Sequence, residues 1–111
     1  MLGVDVEPLE VPPLVLWPGE GQCIVEGARV ELTRREFELL IALASCPGHV
    51  VRRERLHALI WGATMPRRNR DVDVHVRKLR NKLQDAAPGW AFIHTHRQVG
   101  YRLWPEREEH W

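Results

Sequence analysis

One stretch limits the fold more than any other. Between Asn69 and Gln84 the apolar residues Val72, Val76, Leu79 and Leu83 recur at helical spacing. At about 100° per residue they fall in one narrow stripe, which has to pack on a core. The opposite face carries Arg70, Val74, Arg77, Lys78 and Asn81. Such a helix is far too polar to cross a bilayer. The rest of the chain must cover one side of it and leave the other side open.

Two more helices are legible upstream. Thr33-Arg34-Arg35-Glu36 has the residues of a capping box, with Thr33 as N-cap and Glu36 three positions on. Phe37, Leu40, Ile41 and Ala44 follow as one apolar stripe, closed by Pro47-Gly48. After a short extended piece, His49-Val50-Val51, a second helix is expected near Arg53–Trp61 with Leu56, Leu59 and Ile60 inward. Gly62 stops it, and Pro66 prevents its continuation.

Strands flank the helices. Leu14-Val15-Leu16, Cys23-Ile24-Val25 and Ala28–Leu32 read as a small antiparallel sheet with a hairpin at Glu26-Gly27. Residues 1–13 contain Val4, Val6, Leu9 and Val11 among Pro8, Pro12 and Pro13, so an extension or an added edge strand is expected there. Phe92–His96 and Tyr101–Trp104 enclose Arg97-Gln98-Val99-Gly100 as a terminal β-hairpin. Residues 106–111 read as a frayed polar tail, with Trp111 out of place in it. The order of sheet, three helices and hairpin is α+β, one domain over residues 14–105. A chain of 111 residues buries roughly 60–70% of its unfolded surface, enough for one core without a disulfide or a metal.

Taken alone the net charge of +1 disfavours a nucleic-acid partner, but it is a cancellation. Residues 1–32 carry six acids against Arg29, a net of −5, while residues 66–82 carry seven bases against Asp71 and Asp73, a net of +5. A basic run can be merely a solvated helix face, or it can be a footprint for phosphate. Val74 favours the second. It sits in the middle of the basic face, where solvation has no use for it, whereas a helix in the DNA major groove meets the thymine methyl.

Other chemistry finds little support. Cys23 and Cys46 have no metal-ligand spacing and read as reduced thiols of a cytoplasmic protein. His94 and His96 would share a strand face, but no third metal ligand lies nearby. No catalytic set stands out, so neither an enzyme nor a cofactor is expected. No secretory signal or membrane span is visible.

Four blocks together resemble the winged helix-turn-helix DNA-binding effector domain of OmpR/PhoB-type response regulators. They are LTRREFELLIAL (32–43), VVRRERLHALIWG (50–62), RDVDVHVRKLRNKL (70–83) and IHTHRQVGYRLWP (93–105). The resemblance implies that helix 69–84 reads bases in the major groove, through Val74 and Lys78 with Arg70 at its entry. It implies that Thr95 lies near the major groove and that Arg97, on the wing, enters the minor groove. It assigns phosphate contacts to Arg53, Trp61, His75, Arg77, Arg80 and Tyr101, although Trp61 and Tyr101 would also serve as packing residues. It further implies binding as a homodimer on direct repeats of double-stranded DNA, with the loop 63–69 touching RNA polymerase.

Three departures from the family pattern stand out. Arg52 occupies the N-cap of the second helix, where Ser is usual and Arg is a poor cap. Gln98 replaces the first glycine of an Arg-Gly-x-Gly wing, so a different turn is expected at the tip. Family members carry a receiver domain ahead of this one, so the chain reads as an excised effector domain or as a stand-alone regulator. A second functional reading, a winged helix that docks on RNA polymerase or another regulator without reading DNA, stays open. It would call for an apolar patch larger than one valine.

Overall fold

The structure, a computed structural model, describes residues 7–108. The expectations at Val4, Val6 and Trp111 lie outside the described residues.

Four short strands come first: β1 (Leu9–Val11), β2 (Leu14–Trp17), β3 (Gln22–Val25) and β4 (Ala28–Val30), paired in that order as an antiparallel meander. Alternation of side chains orients it. Leu14 faces Val25 and Leu16 faces Cys23 across β2 and β3, and all four are fully buried. Glu10, Glu20, Glu26 and Glu31 occupy exposed positions on its strands, turns and exit, so these acids face solvent.

Helix α1 (Arg34–Ala44) opens with a complete capping box. The Thr33 hydroxyl accepts from the Glu36 amide at 3.2 Å, and the Glu36 carboxylate accepts from the Thr33 amide at 2.9 Å. Its buried side is broader than the expected stripe. Leu39, Leu40, Leu43 and Ala44 are buried, while Phe37 and Ile41 are half-buried. The reason is that α1 packs against α2, α3 and both sheets, so more than one face is covered.

Strand β5 (Val50–Arg52) leads directly into helix α2 (Arg53–Trp61). Here one expectation fails. Leu56 and His57 form the buried side, and Leu59 is 53% exposed. At about 100° per residue Leu56, His57 and Ile60 share a face from which Leu59 is turned away. The buried His57 is satisfied, because its Nδ1–H donates to the Ala63 carbonyl at 2.9 Å. Arg52 provides no side-chain cap, as its chemistry suggests. The first amide of α2 is instead taken by the wing, where the Val99 carbonyl accepts from Arg53 N at 3.1 Å.

Helix α3 (Asp71–Ala86) starts and ends two residues later than expected. Asn69 belongs to the entry turn, its Oδ1 accepting from the Asp71 amide at 3.0 Å. The stripe of Val72, Val76, Leu79 and Leu83 is buried throughout. Strands β6 (Trp90–His96) and β7 (Gly100–Arg107) form the wing, and β7 runs two residues into the expected tail. The extended piece β5 adds to β7, giving a three-stranded sheet in the order β5-β7-β6. Gly100 permits this: a Cβ there would lie 1.9 Å from the Val51 carbonyl oxygen. The result is a winged helix-turn-helix, with α2 and α3 as the paired helices and β6–β7 as the wing.

Candidate nucleic-acid interface

The exposed face of α3 and the tip of the wing border one open cleft. Arg70 and Asp73 line it from the helix side, Thr95, Arg97 and Tyr101 from the hairpin, and Arg53 from its floor. Arg70 stands at the N-cap position of α3 with its side chain 80% exposed. Arg77 and Lys78 are exposed on the same helix, and Val74 is half-buried among them. Of the expected base-facing residues of α3, Arg70 lines this cleft, while Val74 and Lys78 lie further along the helix.

The wing turn is built without the usual glycine. Gln98 itself takes the left-handed conformation, with φ 63°, and the Val99 amide donates to His96 O at 3.0 Å. This tight turn exposes Arg97 at the tip. A non-glycine residue at that φ is strained by an amount that the surrounding pairing has to hold. His94 and His96, half-buried on β6, have their own partners. His94 Nε2 donates to Trp104 O at 2.8 Å, and His96 Nε2 accepts from Arg102 Nε at 3.1 Å.

The six residues expected at phosphates separate into two groups. Arg77, Trp61 and His75 lie at or near the surface. Trp61 stacks on His57 with centroids 5.0 Å apart, meets His75 edge-on at 5.2 Å, and carries the Arg35 guanidinium 4.8 Å above its ring. His75 Nδ1–H donates to the Asp71 carbonyl at 2.8 Å, which fixes the ring and turns Nε2 away from the helix.

Arg53, Arg80 and Tyr101 have internal partners instead. The Arg80 guanidinium donates twice to Ile93 O, at 3.2 and 2.9 Å, and once to Thr95 Oγ1 at 3.0 Å. It braces α3 against β6 and orients Thr95. Arg53 forms a two-pronged pair with Asp73, Nε to Oδ1 at 3.0 Å and Nη2 to Oδ2 at 2.5 Å. The Tyr101 hydroxyl, on β7, donates to the same Asp73 Oδ1. Burial works to raise the Asp73 carboxyl, but the hydrogen bonds from Arg53 and Tyr101 outweigh it and hold it below its ordinary value. Burial and the Asp73 carboxylate push Tyr101 up to about 12.

Two residues of this arrangement were not singled out from the sequence. Asp73 entered only as one negative charge in a basic block, and its partners stand 20 and 28 residues away. Lys82, counted with the basic block, donates to the buried Glu36 carboxylate at 2.6 Å, so its charge is tied inward although its side chain is 38% exposed. Acid–base alternation along the helix was the only available signal for either, and it does not reveal a distant partner.

Residues 27–103 match the family described as transcriptional regulatory protein, C terminal. The transcriptional regulatory protein CpxR of Escherichia coli K12 is 41% identical over 95 residues, covering 86% of this chain. The chain spans 41% of the length of that relative. Among solved structures, the DNA-binding domain of E. coli CpxR superposes with a TM-score of 0.78 at 38% identity, covering 86% of this chain and 94% of that one. The Klebsiella pneumoniae RstA DNA-binding domain, solved in complex with the RstA box, superposes with a TM-score of 0.79 at 31% identity, covering 87% and 96%.

Proposed function

Because the chain belongs to the family of C-terminal domains of transcriptional regulatory proteins, we propose that it is a sequence-specific, double-stranded DNA-binding transcription regulator. The observation that carries this is the cleft that Arg70 of the α3 entry and Arg97 of the wing border together. Helix α3 enters the major groove, where Arg70, Val74 and Lys78 meet base edges and Thr95 approaches from the wing. Arg97 enters the adjacent minor groove, where narrow A·T tracts concentrate negative potential. Trp61, His75 and Arg77 hold phosphates and set the register. The RstA domain, of like fold and solved in complex with its box, supports DNA binding by this fold.

The competing protein-docking reading needs an apolar patch on the helix face. Among the described residues the exposed large hydrophobics are Val50, Leu59, Val99 and Trp104, and none lies on α3. The chemistry of regulation also locates the domain beside DNA in the cytoplasm. No helix among the described residues is long and apolar enough to cross a membrane. Pairing of two copies on direct repeats, and contact of RNA polymerase by the loop 63–69, extend the same reading.

In vitro selection of bound duplexes at defined salt tests it. A recovered motif, repeated in tandem, supports both the reading and the pairing. In follow-up titrations Lys78→Ala relaxes preference at one or two base positions, costing about 1–3 kcal/mol, while Arg77→Ala weakens all duplexes alike and makes the salt dependence shallower. Selection that returns no motif, with binding indifferent to salt, overturns it.

A further inference from the structure

A carboxylate lining a cleft that should receive phosphate is an electrostatic cost, and Asp73 is such a carboxylate. Its surroundings explain what it does there. It accepts two hydrogen bonds from Arg53 on α2 and one from Tyr101 on β7, and Arg70 Nη1 stands 3.8 Å from its Oδ2. One side chain thus connects the base-facing helix, the preceding helix and the wing. It also engages the Arg53 charge, since the pair is two-pronged and both side chains are only 23% exposed.

We propose that Asp73 is a positioning residue for specificity: it keeps Arg53 out of the phosphate-contacting set and fixes α3 relative to the wing, so that sequence-independent attraction is held down while base contacts stay aligned. The proposal rests on the DNA-binding reading above and deepens it. A free Arg in the cleft would add a phosphate contact to every duplex, matched or not. Neutralised by Asp73, it adds rigidity and no sequence-blind affinity. Arg70, 80% exposed and 3.8 Å away, is aligned by the same carboxylate without being captured by it.

Asp73→Asn keeps the shape and one acceptor oxygen while removing the charge. Affinity for random duplex should rise, and its log–log salt slope should steepen by about 0.9, the increment of one added phosphate contact. The ratio of specific to random affinity should fall about tenfold, the size of one mismatched base pair. Adding Arg53→Gln to Asp73→Asn should remove the extra slope, because Arg53 is the charge released. Circular dichroism and thermal melts establish that each variant is folded. Should Asp73→Asn fail to fold, Tyr101→Phe loosens the same carboxylate without changing any charge, and should lower the specific-to-random ratio by about twofold with the slope unchanged.

A folded Asp73→Asn with the slope and ratio of the native chain overturns the proposal, as does an extra slope that survives Arg53→Gln. In the Tyr101→Phe arm an unchanged ratio overturns it. Failure of the native chain itself to distinguish its selected duplex from random DNA is a different result, which overturns the DNA-binding reading instead.

Discussion

Both ends of α3 are tied down by a carboxylate, and the two ties differ in what they hold. Toward its C-terminal half, Lys82 reaches Glu36, whose side chain is 3% exposed and also completes the capping box of α1. At its N-terminal end, Asp73 holds Arg53 and Tyr101 at the edge of an open cleft, 23% exposed. The first joins α1 and α3 through a buried carboxylate. The second joins three elements at the surface where a ligand would arrive. A basic block is thus not a uniform phosphate surface. Of the seven bases between residues 66 and 82, Arg80 and Lys82 have internal partners, and Arg67, Arg68, Arg70, Arg77 and Lys78 carry the exposed positive charge.

The inner tie should be the costlier one to cut. Glu36→Ala leaves the Thr33 amide without its acceptor and Lys82 without its partner. We expect a loss of about 2 kcal/mol in urea unfolding, from the broken capping box and the lost charge-assisted bond, with the base preference of the folded fraction unchanged. A loss below about 1 kcal/mol would place Glu36 with surface ion pairs and remove the contrast between the two ends.

Acid should reveal the same difference. Burial works to raise the Glu36 carboxyl, but the hydrogen bonds from Lys82 and the Thr33 amide more than offset it and lower it from 4.5. A carboxyl lowered in the folded state binds its proton more readily in the unfolded one. Its contribution is therefore complete above pH 4.5 and is lost as pH falls through the lowered value. Asp73 behaves in the same direction, starting from 3.8. Urea midpoints measured between pH 6 and pH 3 should fall less steeply in Glu36→Gln than in the native chain; parallel curves would show that Glu36 does not carry this acid dependence.

Where α3 meets the wing strand β6 the expected costs are smaller. Arg80→Met keeps the aliphatic stem and loses the bonds to Ile93 O and Thr95 Oγ1. A stability loss of about 1–2 kcal/mol is expected, together with weaker preference at whichever base position Thr95 serves. If affinity instead drops equally for all duplexes, Arg80 is a phosphate contact rather than a brace.

What the sequence disclosed depended on how far the physics reaches along the chain. The α3 stripe and the Thr33–Glu36 capping box are set by neighbours three or four residues apart, and both stand in the structure as expected. Periodicity places Leu59 on the inward face of α2 because it counts leucines. Leu59 faces solvent, and the buried position belongs to His57, made tolerable by a carbonyl six residues on. The wing glycine is visible in VGYR, but its cause, the approach of Val51 from 49 positions upstream, is not. The site followed the same rule. Exposed Arg70, Arg77, Lys78 and Arg97 could be read from a helical wheel and a hairpin tip. The internal roles of Arg53, Arg80 and Tyr101 depend on partners 13 to 28 residues distant.

The smallest effect gives the sharpest reading of the outer tie, because Tyr101 is the chain's single tyrosine. Tyr101→Phe removes one hydrogen bond to Asp73 and should cost only about 0.5–1.5 kcal/mol at neutral pH. The native titration is more informative. Tyrosinate absorbance should show a midpoint near 12, above the ordinary 10, because burial and the neighbouring carboxylate both oppose a second negative charge. A phenol raised in the folded state contributes stability below pH 10 that is lost as pH climbs through about 12. In Asp73→Asn the carboxylate's share of the shift disappears, so the midpoint should move down while burial keeps it above 10. An unchanged midpoint would mean that burial alone holds the phenol. Tyr101 would then report nothing about the tie between α3 and the wing.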